Sequence, residues 1–483
     1  MWIVIFTLVA ILLSLYLFCF RQALIDDAFI TFQYARNLRD HKTWGFFPGY
    51  TTNTATSPLN VMLTAFAGLF VPDLIEAAIW LAVVEALAMF GLLMLISRKV
   101  FDGYYFGGIS FIAVMANPLL MSTLGLETLL YIVFILAGIY FFLAQRWYIL
   151  AVVLALLTLT RPDGILLFVL MLWFVGDEGE SSIKFKIKFL ALYVICLLPW
   201  YLFSWIHLGS FLPDTFFLKF NQNWNGIDYL KGIFLYIYKF PFFMLISFIL
   251  APLGFLYILR EKRNSHRLAG VVWMFGILYF IGYAILRVPP YHWYYVPVAI
   301  SFNLVGVFAI AKSLQTDMKR NQKIGLFSGI VFVVCFGILV YFLQSGFSLE
   351  EPPVHTNWAT QTQYKEIGLW LRENIEPSER IELRGEVGTL TYYSQRRLMD
   401  MFSCRYELLS RIDRFEQGGV IAKLFAKINF YWYDPGEPCQ PTDYILGFDY
   451  YGDDMRAGSI KNWETTTKWA PGGLILLWKA YQP

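Results

Sequence analysis

The chain is short of charge. Only 15% of its 483 residues are Asp, Glu, Lys or Arg, where a soluble globular protein carries roughly 25%. That shortage excludes a soluble multidomain enzyme, and the 58% hydrophobic content excludes a disordered chain. An excess of one sign is also missing. The formal net charge of +3 is too small for a nucleic-acid-binding surface. Nucleotide signatures are absent, with neither GxxxxGK(S/T) nor a GxGxxG opening a helix after a strand. A cytoplasmic nucleotide donor is therefore not indicated. Cysteine is scarce, at five. Cys19, Cys196 and Cys335 lie in apolar runs and read as packing residues. Cys404 and Cys439 could pair only if their segment faces an oxidising compartment.

What the chain does hold is apolar runs of bilayer length, roughly 20 residues each, and a mean hydropathy of +0.54. Charge divides it in two. Residues 1–344 carry 23 Lys/Arg and 16 Asp/Glu, whereas the 139 residues 345–483 carry 15 and 19. The expected architecture is an α-helical polytopic membrane domain over 1–344 and a C-terminal α/β soluble domain over 345–483. Residues 2–20 lack a basic n-region and a small-residue cleavage site, so they read as a retained first helix. Further spans are expected near 75–96, 103–121, 125–144, 147–160, 163–176, 189–206, 241–259, 268–286, 293–311 and 324–344, about eleven in all. The pair flanking Arg161-Pro162-Asp163-Gly164 is short enough to be one bent element. Pro58–Val71 is too short to span and reads as an interfacial or packed helix. With the N-terminus inside, fourteen basic loop residues face the cytoplasm and nine face out, as the positive-inside rule requires. The soluble domain then lies outside, with the loops 21–57 and 207–240.

In the tail, Trp358–Asn374 and Ser410–Ile428 read as helices. Arg380–Leu383, Gly385–Tyr393, Arg396–Phe402, Asp443–Leu446 and Gly473–Trp478 read as strands. Tyr431-Trp432-Tyr433 and Tyr450-Tyr451 offer faces for sugar stacking, or plain surface and core aromatics.

The candidate chemistry gathers on the outer face. Asp26 and Asp27 stand side by side after the first helix, as helix-start residues or as a base and metal site. Tyr34, Arg36 and Asn37 follow; Arg36 suits a phosphate or merely snorkels. Glu127 opens a span, as a helix-dipole partner or a second acid. Arg161 and Asp163 pair with each other or leave Arg161 to clamp a phosphate. Asp214, Lys219, Arg287 and His292 occupy the later outer loops, where a lone His is more often structural. An outer-face enzyme lacks nucleotide sugars and would need a lipid-carried activated group.

The segments IDDAFITFQYARNL (25–38), TSPL (56–59), GLETLL (125–130), LTRPDG (159–164), HLGSFLPDTFFLK (207–219) and RGEVGTLTYYSQRRLMD (384–400) together resemble polytopic glycosyltransferases of the C superfamily (GT-C). The likeness is to the branch containing the arabinofuranosyltransferases, and it runs in order over most of the chain. It implies the GT-C fold in a bacterial inner membrane. It also implies a polyprenyl-phosphate-linked sugar donor, a glycan or lipid-linked acceptor, and inversion at the anomeric carbon. Asp26 and Asp27 then become the base, with a divalent metal (Mg, Mn or Ca) as an optional cofactor, and Glu127 the second acid. Arg36, Arg161, Lys219 and Arg287 become donor-phosphate ligands, and Tyr34, Asn37, Asp163, Asp214 and His292 substrate contacts. Gln33 and His41-Lys42-Thr43 depart from the pattern, so arabinose is not inherited. A non-catalytic glycan transporter or scaffold of the same fold is the competing expectation, although the ionisable groups sit outside the midplane and no inverted repeat is visible.

Overall fold

The computed structural model describes the chain apart from residues 1, 102, 176–182, 221, 223, 261–263, most of 318–347, 384, 437–441, 450–457 and 481–483. Nine of the eleven expected spans coincide with helices, and the expected span 103–121 is broken into Tyr105–Met115 and Pro118–Met121; the eleventh, 324–344, falls largely outside the described residues. Among the described residues five helices are long and apolar enough to cross a bilayer: Leu74–Phe101, Ile183–His207, Pro241–Leu259, Arg267–Leu286 and His292–Lys312. Shorter apolar helices, among them Val4–Cys19, Thr128–Leu143 and Trp147–Thr160, accompany them. The protein is a multi-pass membrane protein. Many large apolar side chains of these helices face outward, as lipid requires.

At Arg161 the helix Trp147–Thr160 stops, because a residue before proline is pushed to extended backbone. Pro162–Gly164 makes a single 3-10 turn. A Cβ on Gly164 would lie 2.9 Å from the Leu157 backbone, so the turn is tight. The next helix, Ile165–Phe174, folds back until Met171 joins Leu150 and Leu154 around Gly138. The two short elements are thus a hairpin rather than one bent helix. Pro58–Ala67 begins with its proline at the first turn, where no N–H is missed, and packs on Asp26–Arg36 and Leu74–Phe101.

The tail forms a five-stranded sheet in the order β2-β1-β3-β5-β4. Its strands are β1 Arg380–Leu383, β2 Arg397–Met399, β3 Tyr444–Asp449, β4 Lys461–Glu464 and β5 Leu474–Lys479. β1 is parallel to β2 and β3, with Ile381 opposite both Leu398 and Tyr444. β5 runs antiparallel to β3 and β4. Helix Gln361–Asn374 starts with a capping box between Thr360 and Gln363.

One expected strand is a helix. The Thr-Leu-Thr-Tyr-Tyr run has strand propensity, yet Val387–Ser394 is helical. It carries the chain from β1 to its parallel neighbour β2, and parallel strands need a crossover. The expected helix 410–428 divides at Gly418-Gly419 into Leu409–Glu416 and Val420–Asn429. Cys404 is disulfide-bonded; its expected partner Cys439 lies outside the described residues, as do Tyr450 and Tyr451.

The sheet does not have a core to itself. Ile381, Leu390, Leu398, Leu446 and Ile475 share one apolar cluster with Tyr34, Trp44, Phe46 and Phe47 of the first outer loop. This packing sets the loop's height and angle over the bundle.

Candidate active site

Between the bundle and the sheet domain lies a cavity of about 1440 Å³. Asp26, Asp27, Glu127, Arg161, Asp163 and Lys219 all line it. Tyr34, Arg36, Asn37, Asp214, Arg287 and His292 are not among its lining residues.

Asp26 and Asp27 form the first turn of helix Asp26–Arg36, whose N-cap is Ile25. Their side chains diverge. The Asp26 carboxylate accepts the backbone N–H of Gly388 at 2.9 Å and of Thr389 at 2.7 Å. These are orphan donors of helix Val387–Ser394, so Asp26 caps a helix of the other domain. Its own N–H donates to Asn357 Oδ1, and Asn357 Nδ2 returns to the Leu24 carbonyl. Burial pushes the Asp26 carboxyl up to about 6, with Asp27 adding to the shift and the two N–H donors opposing it. Asp27 is half-buried and lines the cavity. Burial raises its pKa, and Lys219 works against the rise.

A Cβ on Gly388 would lie 2.3 Å from the Asp26 carbonyl oxygen, a backbone atom that cannot step aside. Gly388→Ala is expected to separate the two helices and to lower the melting temperature of the purified protein. A stability equal to wild type would show that the Asp26 clamp is dispensable.

Lys219 ends helix Asp214–Lys219. Its Nζ lies 4.6 Å from the Tyr291 ring centroid and 5.7 Å from those of Trp293 and Phe402. Among the described residues no carboxylate is within salt-bridge distance of it. Burial opposes its charge, but the surrounding phenols and the carboxylates of Asp27 and Glu127 more than offset that, so the ammonium stays charged. Arg161 differs. It donates to Glu127 at 2.8 Å, to Asp163 at 3.0 Å and to the hydroxyls of Tyr279 and Tyr283. Its charge is already matched by two acids.

The remaining expected residues stand outside the cavity wall. Arg36 donates to the Tyr392 carbonyl at 2.7 Å and lies over the Tyr392 ring, which docks the sheet domain. Tyr34 is hydrogen-bonded to Thr52 and Thr54, and Asn37 donates to the Gly45 carbonyl; both shape the first outer loop. Asp214 pairs with Arg405 at 3.2 Å, and burial raises it to about 6. His292 is fully buried against the Ser122 carbonyl. Arg287 is exposed at a left-handed φ of 47°.

Sequence reasoning missed the sheet domain's share of the wall. Glu386, Asp400, Trp358 and Trp469 line the same cavity. Glu386 has φ 32°, a left-handed conformation costly for a side-chain-bearing residue. Its carboxylate accepts the Trp358 N–H at 2.8 and 3.0 Å. Burial, then Asp26 and Asp27, raise its pKa well above the usual carboxylate range. The signal was the Gly385-Glu386 pair ahead of a helix, which a strand assignment hid.

The donor set does not suit a divalent ion. Both Asp26 oxygens already accept N–H groups. Among the described residues no three His, Cys, Asp or Glu stand close enough to hold a metal.

No protein-family model matches the sequence, and no curated protein matches it. Solved structures do match. ArnT from Cupriavidus metallidurans, bound to undecaprenyl phosphate, is similar over 99% of this chain and 98% of its own, with TM-score 0.60 and 13% identity. The chain has the GT-C fold. The Archaeoglobus fulgidus oligosaccharyltransferase shares it over 91% of this chain and 69% of its own, at TM-score 0.54 and 12% identity. So does the mycobacterial arabinofuranosyltransferase AftD, over 92% of this chain but only 35% of its own, at TM-score 0.52 and 13% identity. At such identities the likeness establishes the GT-C fold alone, and the chemistry rests on the cavity.

Proposed function

We propose that this protein is an inverting glycosyltransferase that moves a sugar from a polyprenyl-phosphate donor to a hydroxyl of a glycan or lipid-linked acceptor. The observation that carries this is the pairing of roles across one cavity: a base, Asp27, and an unneutralised cation, Lys219. The fold match to ArnT with undecaprenyl phosphate bound supports a lipid-phosphate donor. An archaeal oligosaccharyltransferase of the same fold is known in complex with dolichol-phosphate, which adds to that support.

Asp27 accepts the proton of the acceptor hydroxyl. The freed oxygen attacks the anomeric carbon from the face opposite the phosphate. The carbon–oxygen bond to phosphate breaks, and its electron pair leaves on polyprenyl phosphate. Lys219 stabilises the charge gathering there. Asp26 positions Asp27 by fixing the helix that carries both. Arg161 orders Glu127 and Asp163 along the bundle wall. No step is routed through a metal. The membrane is the bacterial inner membrane, with the sheet domain on its outer face.

Polyprenyl-phosphate binding tests this reading. Wild-type protein in nanodiscs should bind polyprenyl phosphate, and Lys219→Met should weaken binding by about ten- to a hundredfold, the worth of one charged contact. Equal affinity in the variant would remove Lys219 from the donor site. No binding by wild type would remove the donor class.

A further inference from the structure

Helix Val420–Asn429 faces the wrong way for a soluble domain. Its buried residues are Ala426 and Asn429. Val420 and Ile421 are 85% and 86% exposed, and Leu424, Phe425 and Ile428 are exposed as well. Their spacing puts all five on one stripe. Tyr431 and Trp432, also exposed, extend it. A contiguous apolar patch of this kind marks a contact surface.

The neighbours of this helix indicate what covers it. The Trp205 indole N–H donates to the Ile428 carbonyl at 2.8 Å, and its ring stacks on Phe211 at 4.8 Å. Asn429 Oδ1 accepts the N–H groups of Phe211 and Leu212. Trp205 lies in the last turn of the span Ile183–His207. That span exposes Ile195, Leu198, Leu202 and Ile206 along its length. The stripe therefore continues a lipid-facing surface at the end of the span nearest the sheet domain. Lys423 and Lys427, both exposed, sit one turn apart on the helix, where their stems can run along the stripe and their ammoniums reach phosphate.

We propose that helix Val420–Asn429, with Tyr431 and Trp432, lies in the headgroup region of the bilayer with its apolar stripe toward the acyl chains. The ligand is membrane lipid, and the two aromatics are interfacial anchors rather than a sugar platform. Asp400 and Phe402, in the cavity wall, lie 20 and 18 positions before Val420, the first residue of this helix. Docking on lipid therefore ties one wall of the cavity to the membrane plane. The proposal stands whether or not the cavity transfers sugar.

The test uses the full chain, one copy per nanodisc of mixed phosphatidylcholine and phosphatidylglycerol. Ile421→Cys and Leu424→Cys, both exposed sites, are labelled with a polarity-sensitive fluorophore. Glu416→Cys serves as the water-facing comparison, and the unsubstituted chain as the blank for native thiols. At 421 and 424 the emission should shift to the blue and be lost to lipid-borne nitroxide but not to aqueous iodide. At 416 the pattern should reverse. Iodide quenching at 421 and 424 equal to that at 416 would overturn the proposal and leave a protein partner as the cover.

Discussion

Asp27→Asn is expected to fold, to bind polyprenyl phosphate and to lose glycosyl transfer by about 10²–10⁴-fold, the usual worth of a positioned general base. Asp26→Asn should behave differently. Its amide offers one acceptor where two backbone N–H groups wait, and it turns its own N–H₂ toward one of them. The expected loss is about 1–3 kcal/mol of stability, with a smaller fall in turnover that reflects a displaced Asp27. Thermal unfolding and donor turnover measured on both variants separate the roles. Wild-type turnover in Asp27→Asn would sink the assignment of the base. The pH profile carries the same content. Burial raises the Asp27 pKa, so the acid limb of kcat/KM should lie above the ordinary aspartate value of about 3.9. Turnover is present above that limb and is lost as pH falls and the carboxylate takes a proton. Stability runs the opposite way for Asp26 and Asp214, whose folded pKa values are raised to about 6. Their contribution is greatest below the unfolded aspartate value and is lost as pH rises through about 6.

Arg161→Leu should cost about 3–5 kcal/mol, because the buried Glu127 and the half-buried Asp163 are left without their cation. Adding Glu127→Gln and Asp163→Asn to the same chain should recover much of that loss, since the uncompensated charge is then gone. The measurement is the melting temperature of the single and triple variants in the same detergent. If Arg161→Leu kept wild-type stability while donor affinity fell, Arg161 would be a phosphate ligand and the two acids would be satisfied elsewhere.

The membrane helices were legible in the sequence because a bilayer imposes length and apolarity on each segment independently. Local rules were enough for Leu74–Phe101 or Ile183–His207. The Asp pair was legible too, as charge that water alone would not explain beside a span. The division of labour inside the pair was not. Gly388 is 362 positions from Asp26, and nothing near either residue announces the other. Arg36 illustrates the same limit, since an outer arginine near an acidic pair reads as a phosphate ligand until Tyr392 is seen beneath it. Val387–Ser394 failed for a different reason. Its β-branched and aromatic run has strand propensity, and the demand for a crossover between β1 and β2 overrode it.

The clamp between Asp26 and helix Val387–Ser394 also fixes an order of events in biogenesis. Asp26 leaves the ribosome 362 residues ahead of Gly388, an interval of about 20–70 s at ordinary elongation rates. Throughout that interval the first outer loop has no sheet to pack on, and Tyr34, Trp44 and Phe46 have no finished core to enter. The bundle can be inserted and largely assembled while Asp26 and Asp27 are still unplaced. The cavity is then the last feature the nascent chain acquires, and a chain stopped short of the sheet would carry the bundle wall without the residues that face it from the sheet domain.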